Sequence, residues 1–232
     1  MQVSVVDNNC SVTAILLCAG NSTRYGRNRN KNFEILNGKS ILLYSLEAFL
    51  KNDYIDDIII AVKDSEFEVV DDIVKQVKLN KNVKLVLGGN SRLESVYNCI
   101  TNTNSKFVII HDAARPMIRQ EYINKCIENV LFYPGVTVGV KSKDTIKISN
   151  KDNIVKTTTN RDNTWIIQTP QCFDRDILLK VHEKNRFKNI TDDCMLLEKN
   201  KYPVKILEGG YTNIKVTTYE DIKILNEFLC LK

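Results

Sequence analysis

The sequence predicts an α/β fold, a mostly parallel sheet with crossover helices. Short apolar runs alternate with amphipathic helical stretches along the whole chain, and no linker or low-complexity segment interrupts them. Composition agrees: 232 residues, 43% hydrophobic and 26% charged, suit one or at most two globular domains and exclude disorder for the bulk of the chain.

Taken in order, residues 1–11 carry no periodic pattern and read as a loose leader before a single domain over 12–232. Val12 to Cys18 is a buried strand, followed by a polar, glycine-containing loop to about Gly38. Ser40 to Leu50 places Ile41, Leu42, Tyr44, Leu46 and Phe49 at helical spacing. Ile55 to Val62 is a second strand, Ser65 to Val77 a helix, Val83 to Leu87 a third strand, and a helix opens after Gly88-Gly89. A fourth strand ends at His111. Parallel sheets hold ligands at the carboxyl ends of their strands, so function is sought in the loops after Cys18, Leu87 and Ile110. Within residues 137–160 the pattern changes to two alternating segments, Thr145–Ile148 and Ile154–Thr157, around a polar turn. They form a β-hairpin arm, too small to stand alone in water, which must lie on its own domain or on a second subunit. Thr218 to Leu229 closes the chain as an amphipathic helix.

Several function classes drop out. The longest apolar run, Ala14 to Ala19, is far short of the roughly 18 residues of a membrane helix, and the N-terminus lacks the order of a signal peptide. Seven cysteines stand singly without a C-x-x-C pair, which argues against a zinc site or disulfide framework and for a reducing cytoplasm. The balance of 33 basic against 28 acidic side chains, net +5, is too even for a nucleic-acid stripe but compatible with an anionic small molecule. His111 and His182 are the only histidines. The sequence suggests no carboxylate or serine partner for the second, so histidine metal or triad chemistry is not expected.

The three loops carry the chemistry. Ala19-Gly20-Asn21-Ser22-Thr23-Arg24-Tyr25-Gly26, with Lys31 beyond, matches neither the dinucleotide fingerprint nor the P-loop. Its backbone N–H groups could cradle a triphosphate while Arg24 and Lys31 neutralise it; the alternative is an ordinary βα loop with solvated cations. After Leu87, paired glycines let a flat ligand approach, and Asn90 and Ser95 suit a base edge; a helix cap at Asn90 or Ser91 with Glu94 is at least as good a reading. His111-Asp112-Ala113-Ala114-Arg115-Pro116 puts a carboxylate at a strand end, suited to a divalent cation or a ribose hydroxyl, or to a turn paired with Arg115. Thr191-Asp192-Asp193 most economically caps a helix.

Together, Ala19-Gly20-x-x-x-Arg24-x-Gly26, Asn30-Lys31-Asn32-Phe33, Gly88-Gly89-x-x-Arg92-x-x-Ser95, His111 to Pro116, Asp144-Thr145-Ile146-Lys147, Gln168-Thr169-Pro170-Gln171, Thr191-Asp192-Asp193 and Asn213 to Thr218 resemble the 2-C-methyl-D-erythritol 4-phosphate cytidylyltransferase family, in family order from about Val12 to Leu229. The resemblance implies a Rossmann-like sheet of the nucleotide-diphospho-sugar transferase type with a protruding β-arm that forms a homodimer. It implies transfer of CMP from CTP to a sugar-alcohol phosphate with release of pyrophosphate, assisted by Mg²⁺. Carried over residue by residue, it makes Arg24 and Lys31 catalytic, and Arg161, from the partner's arm, and Lys215 the holders of the substrate phosphate. Cys18, Ala19, Gly20, Gly89, Asn90, Ser95 and Ala113 would bind the nucleotide. Asp112, Arg115, Thr145, Thr169 and Thr191 would line the sugar-phosphate region, with Asp112 also a metal ligand. This chain departs from the family with Tyr25 between Arg24 and Gly26, Asn30 and Asn32 around Lys31, and Asn90 in place of the usual Asp. The related ribitol 5-phosphate cytidylyltransferases share most of the motifs, and a non-catalytic nucleotide-binding module is the reading from a different class.

Overall fold

The computed structural model describes residues 10–22, 25–26, 30–184 and 190–230, the side chain of Cys230 excepted. In chain order, β1 (Val12–Leu17) is followed by the short hairpin β2 (Ile35–Leu36) and β3 (Lys39–Ser40), then α1 (Ile41–Leu50), β4 (Asp57–Val62) and α2 (Phe67–Val74). Next come β5 (Asn82–Leu87), α3 (Arg92–Ile100), β6 (Phe107–Asp112), α4 (Gln120–Val130) and β7 (Gly135–Lys141). The hairpin β8 (Lys147–Ser149) and β9 (Val155–Thr158) precedes β10 (Trp165–Asp174), α5 (Arg175–Glu183), α6 (Asp193–Lys199), β11 (Val204–Glu208) and α7 (Tyr219–Cys230).

The central sheet has seven strands in the order β11-β7-β10-β6-β1-β4-β5. All run parallel except β10, which is antiparallel to both neighbours. The chain winds outward from β1 through β4 to β5 and then returns to place β6 on the other side of β1. That reversal opens a crevice at the carboxyl ends of β1 and β6, where sheets of this kind hold ligands.

The central strands are buried on both faces, so their side chains divide between two cores. Val12, Ala14 and Leu16 of β1 face α1, α2 and α4, whereas Ile15 packs with Val96 and Cys99 of α3, Leu178 and Val181 of α5, and Leu196 and Leu197 of α6. A third cluster joins Ile222 and Leu225 of α7 to Leu36, Ile41 and Val216. Helix starts follow local chemistry: Ser40, Ser91, Asp174 and Asp192 each accept a backbone N–H at the first turn of α1, α3, α5 and α6, a cap worth about 1 kcal/mol.

Several boundaries differ from the sequence reading. Residues 137–141, read with the arm, belong to β7, where Val136, Val138 and Val140 are buried and Thr137 is buried with them. The arm itself leaves at Ser142, whose N–H donates to Thr164 O at 2.9 Å. The β10 strand escaped the sequence reading because Pro170 removes a ladder donor inside it. The structure accommodates that proline with a register shift between Ile167 and Gln171.

Candidate active site

A cavity of about 620 Å³ opens at the carboxyl edge of β1, β4, β5 and β6, within the size range of small-molecule sites. Its wall includes Ala19, Gly20, Ser22 and Lys31 after β1, Lys63 and Asp64 after β4, Gly88 to Arg92 after β5, Asp112 on β6, and Lys215 and Thr217 from the segment before α7. Among the described residues, four cations thus converge on one crevice.

The loop after β1 is pinned from below. Asn30 Nδ2 donates to Cys18 O at 2.8 Å and to Glu66 Oε2 at 2.8 Å, and Asn32 Nδ2 donates to Cys18 O at 3.3 Å. The two asparagines that replace the family's residues around Lys31 therefore fold the loop back onto the strand end, leaving Lys31 on the wall. Burial, reinforced by the Glu66 charge, pushes the Cys18 thiol up to about 12, so it stays protonated and has no nucleophilic role.

The loop after β5 packs against the first. A Cβ on Gly88 would lie 2.5 Å from Ala19 Cβ and 3.0 Å from Ser95 Oγ, too close for any larger residue. Ser95 Oγ donates to Ser91 O at 2.8 Å and accepts from Gly89 N at 3.0 Å. Glu94 lies across Gly89 where a side chain would stand, and its Oε2 accepts from Asn90 N at 2.8 Å. The helix cap and the cavity wall are thus one structure: Ser91 caps α3 while Gly89, Asn90, Glu94 and Ser95 border the cavity.

Asp112 forms the floor. Its Oδ2 accepts from Lys215 Nζ at 2.7 Å and stands 3.7 Å from Arg115 Nε, and its Oδ1 is 3.8 Å from Arg92 Nε. Burial alone would raise its pKa, but Lys215, then Arg92 and Arg115, outweigh burial and hold the carboxyl well below the usual range. Its backbone N–H donates to Thr169 Oγ1 at 3.1 Å, and Thr169 Oγ1 is 3.0 Å from His111 Nδ1. His111 Nε2 lies 3.1 Å from Arg115 O. A carbonyl can only accept, so Nε2 carries the proton and Nδ1 accepts from the Thr169 hydroxyl.

Of the residues expected from sequence, Ala19, Gly20, Lys31, Gly89, Asn90, Ser95, Asp112 and Lys215 meet on this wall. Arg24 lies outside the described residues. Cys18, Ala113, Arg115 and Thr169 are buried beneath it: Arg115 Nη1 donates to Asn213 O at 2.7 Å, and Ala114 rather than Ala113 reaches the surface of the cavity. Thr145 and Arg161 sit together on the arm, Arg161 Nη2 donating to Thr145 Oγ1 at 2.9 Å, and neither borders this chain's own cavity. Thr191 is exposed with its hydroxyl on Met195 Sδ. The sequence reading passed over Lys63 and Asp64, although they follow a strand of the same parallel series and so had to reach the same edge. It also left His182 without a carboxylate, whereas the ring bonds Asp193 across a gap in sequence that no local pattern reveals.

A basic crevice at the switch point of an open, mostly parallel sheet defines the class: an α/β protein built to hold a phosphorylated nucleotide. Residues 12–230 match the family model of 2-C-methyl-D-erythritol 4-phosphate cytidylyltransferase, and the chain belongs to that family of nucleotidyltransferases. It is 38% identical over 224 residues to the enzyme of that name from Caldanaerobacter subterraneus subsp. tengcongensis, covering 94% of this chain and 99% of the relative. It is 40% identical to the one from Clostridium tetani over 97% of this chain and 91% of the relative. Among solved structures, 4-diphosphocytidyl-2C-methyl-D-erythritol synthase from Anaerococcus prevotii superposes with a TM-score of 0.86 at 32% identity, covering 96% and 97% of the two chains. The Francisella tularensis cytidylyltransferase gives 0.77 at 28% identity, covering 94% and 99%.

Proposed function

We propose that this chain transfers CMP from CTP to 2-C-methyl-D-erythritol 4-phosphate, releasing pyrophosphate, as the names of its relatives indicate. The observation that carries the reading is the convergence of Lys31, Lys63, Arg92 and Lys215 on one crevice whose other wall is the glycine-rich Gly88-Gly89 loop. In the reaction an oxygen of the sugar phosphate attacks the α-phosphorus of CTP; the new O–P bond forms as the bond to the β-phosphate oxygen breaks. The attacking oxygen is already an anion, so no base is needed. What is needed is cationic charge that brings two polyanions together and stabilises the pentacoordinate phosphorus, held in place before reaction begins. Lys31 and, outside the described residues, Arg24 supply that charge at the α-phosphate. Lys215, held by Asp112, receives the sugar phosphate. The Gly88-Gly89 backbone, fixed by Ser95, faces the base.

Mg²⁺ belongs to the proposal in a limited form. Among the described residues no group of three or more His, Cys, Asp or Glu could cage a metal, and the Asp112 carboxylate is already shared by three cations. The donor set does not fit a cation held by protein alone; it fits one carried by triphosphate oxygens, with Asp112 supplying a carboxylate. When bound, such a cation neutralises charge on the departing pyrophosphate.

The same reading has the enzyme act as a cytoplasmic homodimer. The arm supports the second part: Ile146, Ile148, Ile154 and Val155 are all exposed on it, more apolar surface than a lone hairpin should show to water. Seating the arm on a second subunit would cover these side chains and carry Arg161 to the partner's cavity. The free thiols of Cys10, Cys18, Cys99, Cys126, Cys172 and Cys194 support a reducing compartment.

The deciding experiment measures pyrophosphate release from CTP and Mg²⁺ with methylerythritol phosphate and ribitol 5-phosphate side by side. A kcat/KM at least about tenfold higher for methylerythritol phosphate is expected, since a site with fixed polar partners separates related polyols strongly. Preference for ribitol phosphate, or binding of CTP with neither alcohol turned over, would overturn the assignment.

A further inference from the structure

A line of polar and charged side chains runs from the cavity floor into the protein interior. His182 Nε2, on α5, donates to Asp193 Oδ1 at 3.1 Å; Asp193 Oδ2 accepts from Arg92 Nη1 at 2.5 Å; Arg92 Nε stands 3.8 Å from Asp112 Oδ1; and Asp112 Oδ2 accepts from Lys215 at 2.7 Å. The first two links lie outside the site as described above. Asp193 has no exposed surface at all, and a carboxylate in that position is costly unless it is paired. Burial raises its pKa, and Arg92 and His182 more than offset that, so it stays ionised.

The α6 helix needs no buried acid at this point. Asp192, one residue earlier, already caps it by accepting from Met195 N at 2.9 Å. What Asp193 does instead is hold the guanidinium of a residue on the cavity wall. Arg92 is thereby fixed between two carboxylates, one buried and one at the floor. The single negative charge of Asp112 is divided among Arg92, Arg115 and Lys215. Take Arg92 away from Oδ1, and more of that charge falls to Lys215, tightening the 2.7 Å bond its ammonium already makes to Asp112 and opposing its release to an incoming phosphate.

We propose that Asp193 and His182 are positioning residues: they hold Arg92 against Asp112 so that Lys215 remains available to the sugar phosphate. The inference rests on the function proposed above. Lys, whose ammonium is a point charge, cannot bridge two carboxylates as the planar guanidinium does.

The test is Asp193→Asn, which keeps the shape and the acceptor toward His182 but removes the charge that holds Arg92. Expected is a rise in KM for the sugar phosphate of about tenfold, one factor of ten being what a single charge-assisted contact is worth, with KM for CTP and kcat each within about threefold. Calorimetric titration of the sugar phosphate into the CTP-free protein should show the same loss of affinity. His182→Gln, which leaves every residue of the cavity wall in place, should move in the same direction by less. If Asp193→Asn does not fold, His182→Gln decides. Equal changes in both KM values, or a fall in thermal stability with both unchanged, would mean that the buried pair only docks α6 on α3, and the inference is overturned. Wild-type protein inactive with every acceptor alcohol would sink the proposed function instead, a result distinguishable from any of these.

Discussion

His111 ties the stability of the cavity floor to pH. It is fully buried, beside the Phe49 ring at 5.4 Å, with Nε2 donating to Arg115 O and Nδ1 accepting from Thr169. Protonation would turn Nδ1 into a donor in a site where Thr169 Oγ1 already accepts from Asp112 N. Burial pushes the imidazole down from 6.5 to about 4, more than the Arg115 carbonyl and the Asp112 charge can restore. Below pH 6.5 the unfolded chain therefore binds a proton that the native state refuses. The stability contributed by the neutral ring is complete above pH 6.5 and is lost as pH falls toward about 4. The full interval is worth about 3 kcal/mol, and about 2.5 kcal/mol of it should be gone by pH 4.5. Asp112 and Asp193 act in a lower window, because stability from a carboxylate held below its ordinary value near 3.8 is lost only beneath that value. Urea unfolding at pH 7.5 and 4.5, followed by circular dichroism, should show the loss in the wild type and little of it in His111→Gln, which retains a donor and an acceptor. An imidazole resonance assigned to His111 that titrates near pH 6.5, or an equal pH dependence in the variant, would refute the reasoning.

Lys31→Ala should lower kcat by roughly 10² to 10³ with circular dichroism unchanged, the usual loss for one preorganised charge stabiliser; near-normal turnover in steady-state assays would remove Lys31 from the reaction. Ser95→Ala frees the Gly89 N–H and should erode the preference for CTP over UTP by about tenfold or more, while a ratio of kcat/KM values equal to that of the wild type would show that this loop does not read the base. Arg161→Ala and Lys31→Ala proteins, each nearly inactive, should recover about a quarter of wild-type activity when mixed one to one, because half the dimers then hold one intact site. Confirmed subunit exchange without recovery would place Arg161 in its own chain's chemistry or in none.

The parallel strand rhythm was legible because β1, β4 and β6 are buried on both faces and so read as continuous apolar runs. The loops they end in were legible for the same reason, which is why eight of the expected site residues stand on one wall. Less was visible where a side chain's partner is remote in sequence. Thr169 takes its place from a register shift that follows no local pattern, and the Arg92–Asp193 pair joins residues 101 positions apart. The capping reading of Ser91 and the nucleotide reading of Gly89 stood as alternatives in the sequence, whereas in the folded loop the cap and a glycine bordering the cavity occur together and do not exclude each other.

The order in which the cavity wall occurs along the chain also sets when it can exist. Lys31 belongs to the first loop of the domain, but Lys215 and Thr217 come from the segment after the last strand, docked by the buried Val216, whose N–H donates to Ala114 O at 2.8 Å. On a ribosome adding 5–20 residues per second, the first wall would wait on the order of 10 to 40 seconds for the last. A partly made chain has strands and loops but no closed charge ring on Asp112, so the part of the crevice proposed to take the sugar phosphate is incomplete until synthesis is nearly finished. Capture of substrate thus reports a completed fold, and ligand present at that moment favours the finished state by mass action.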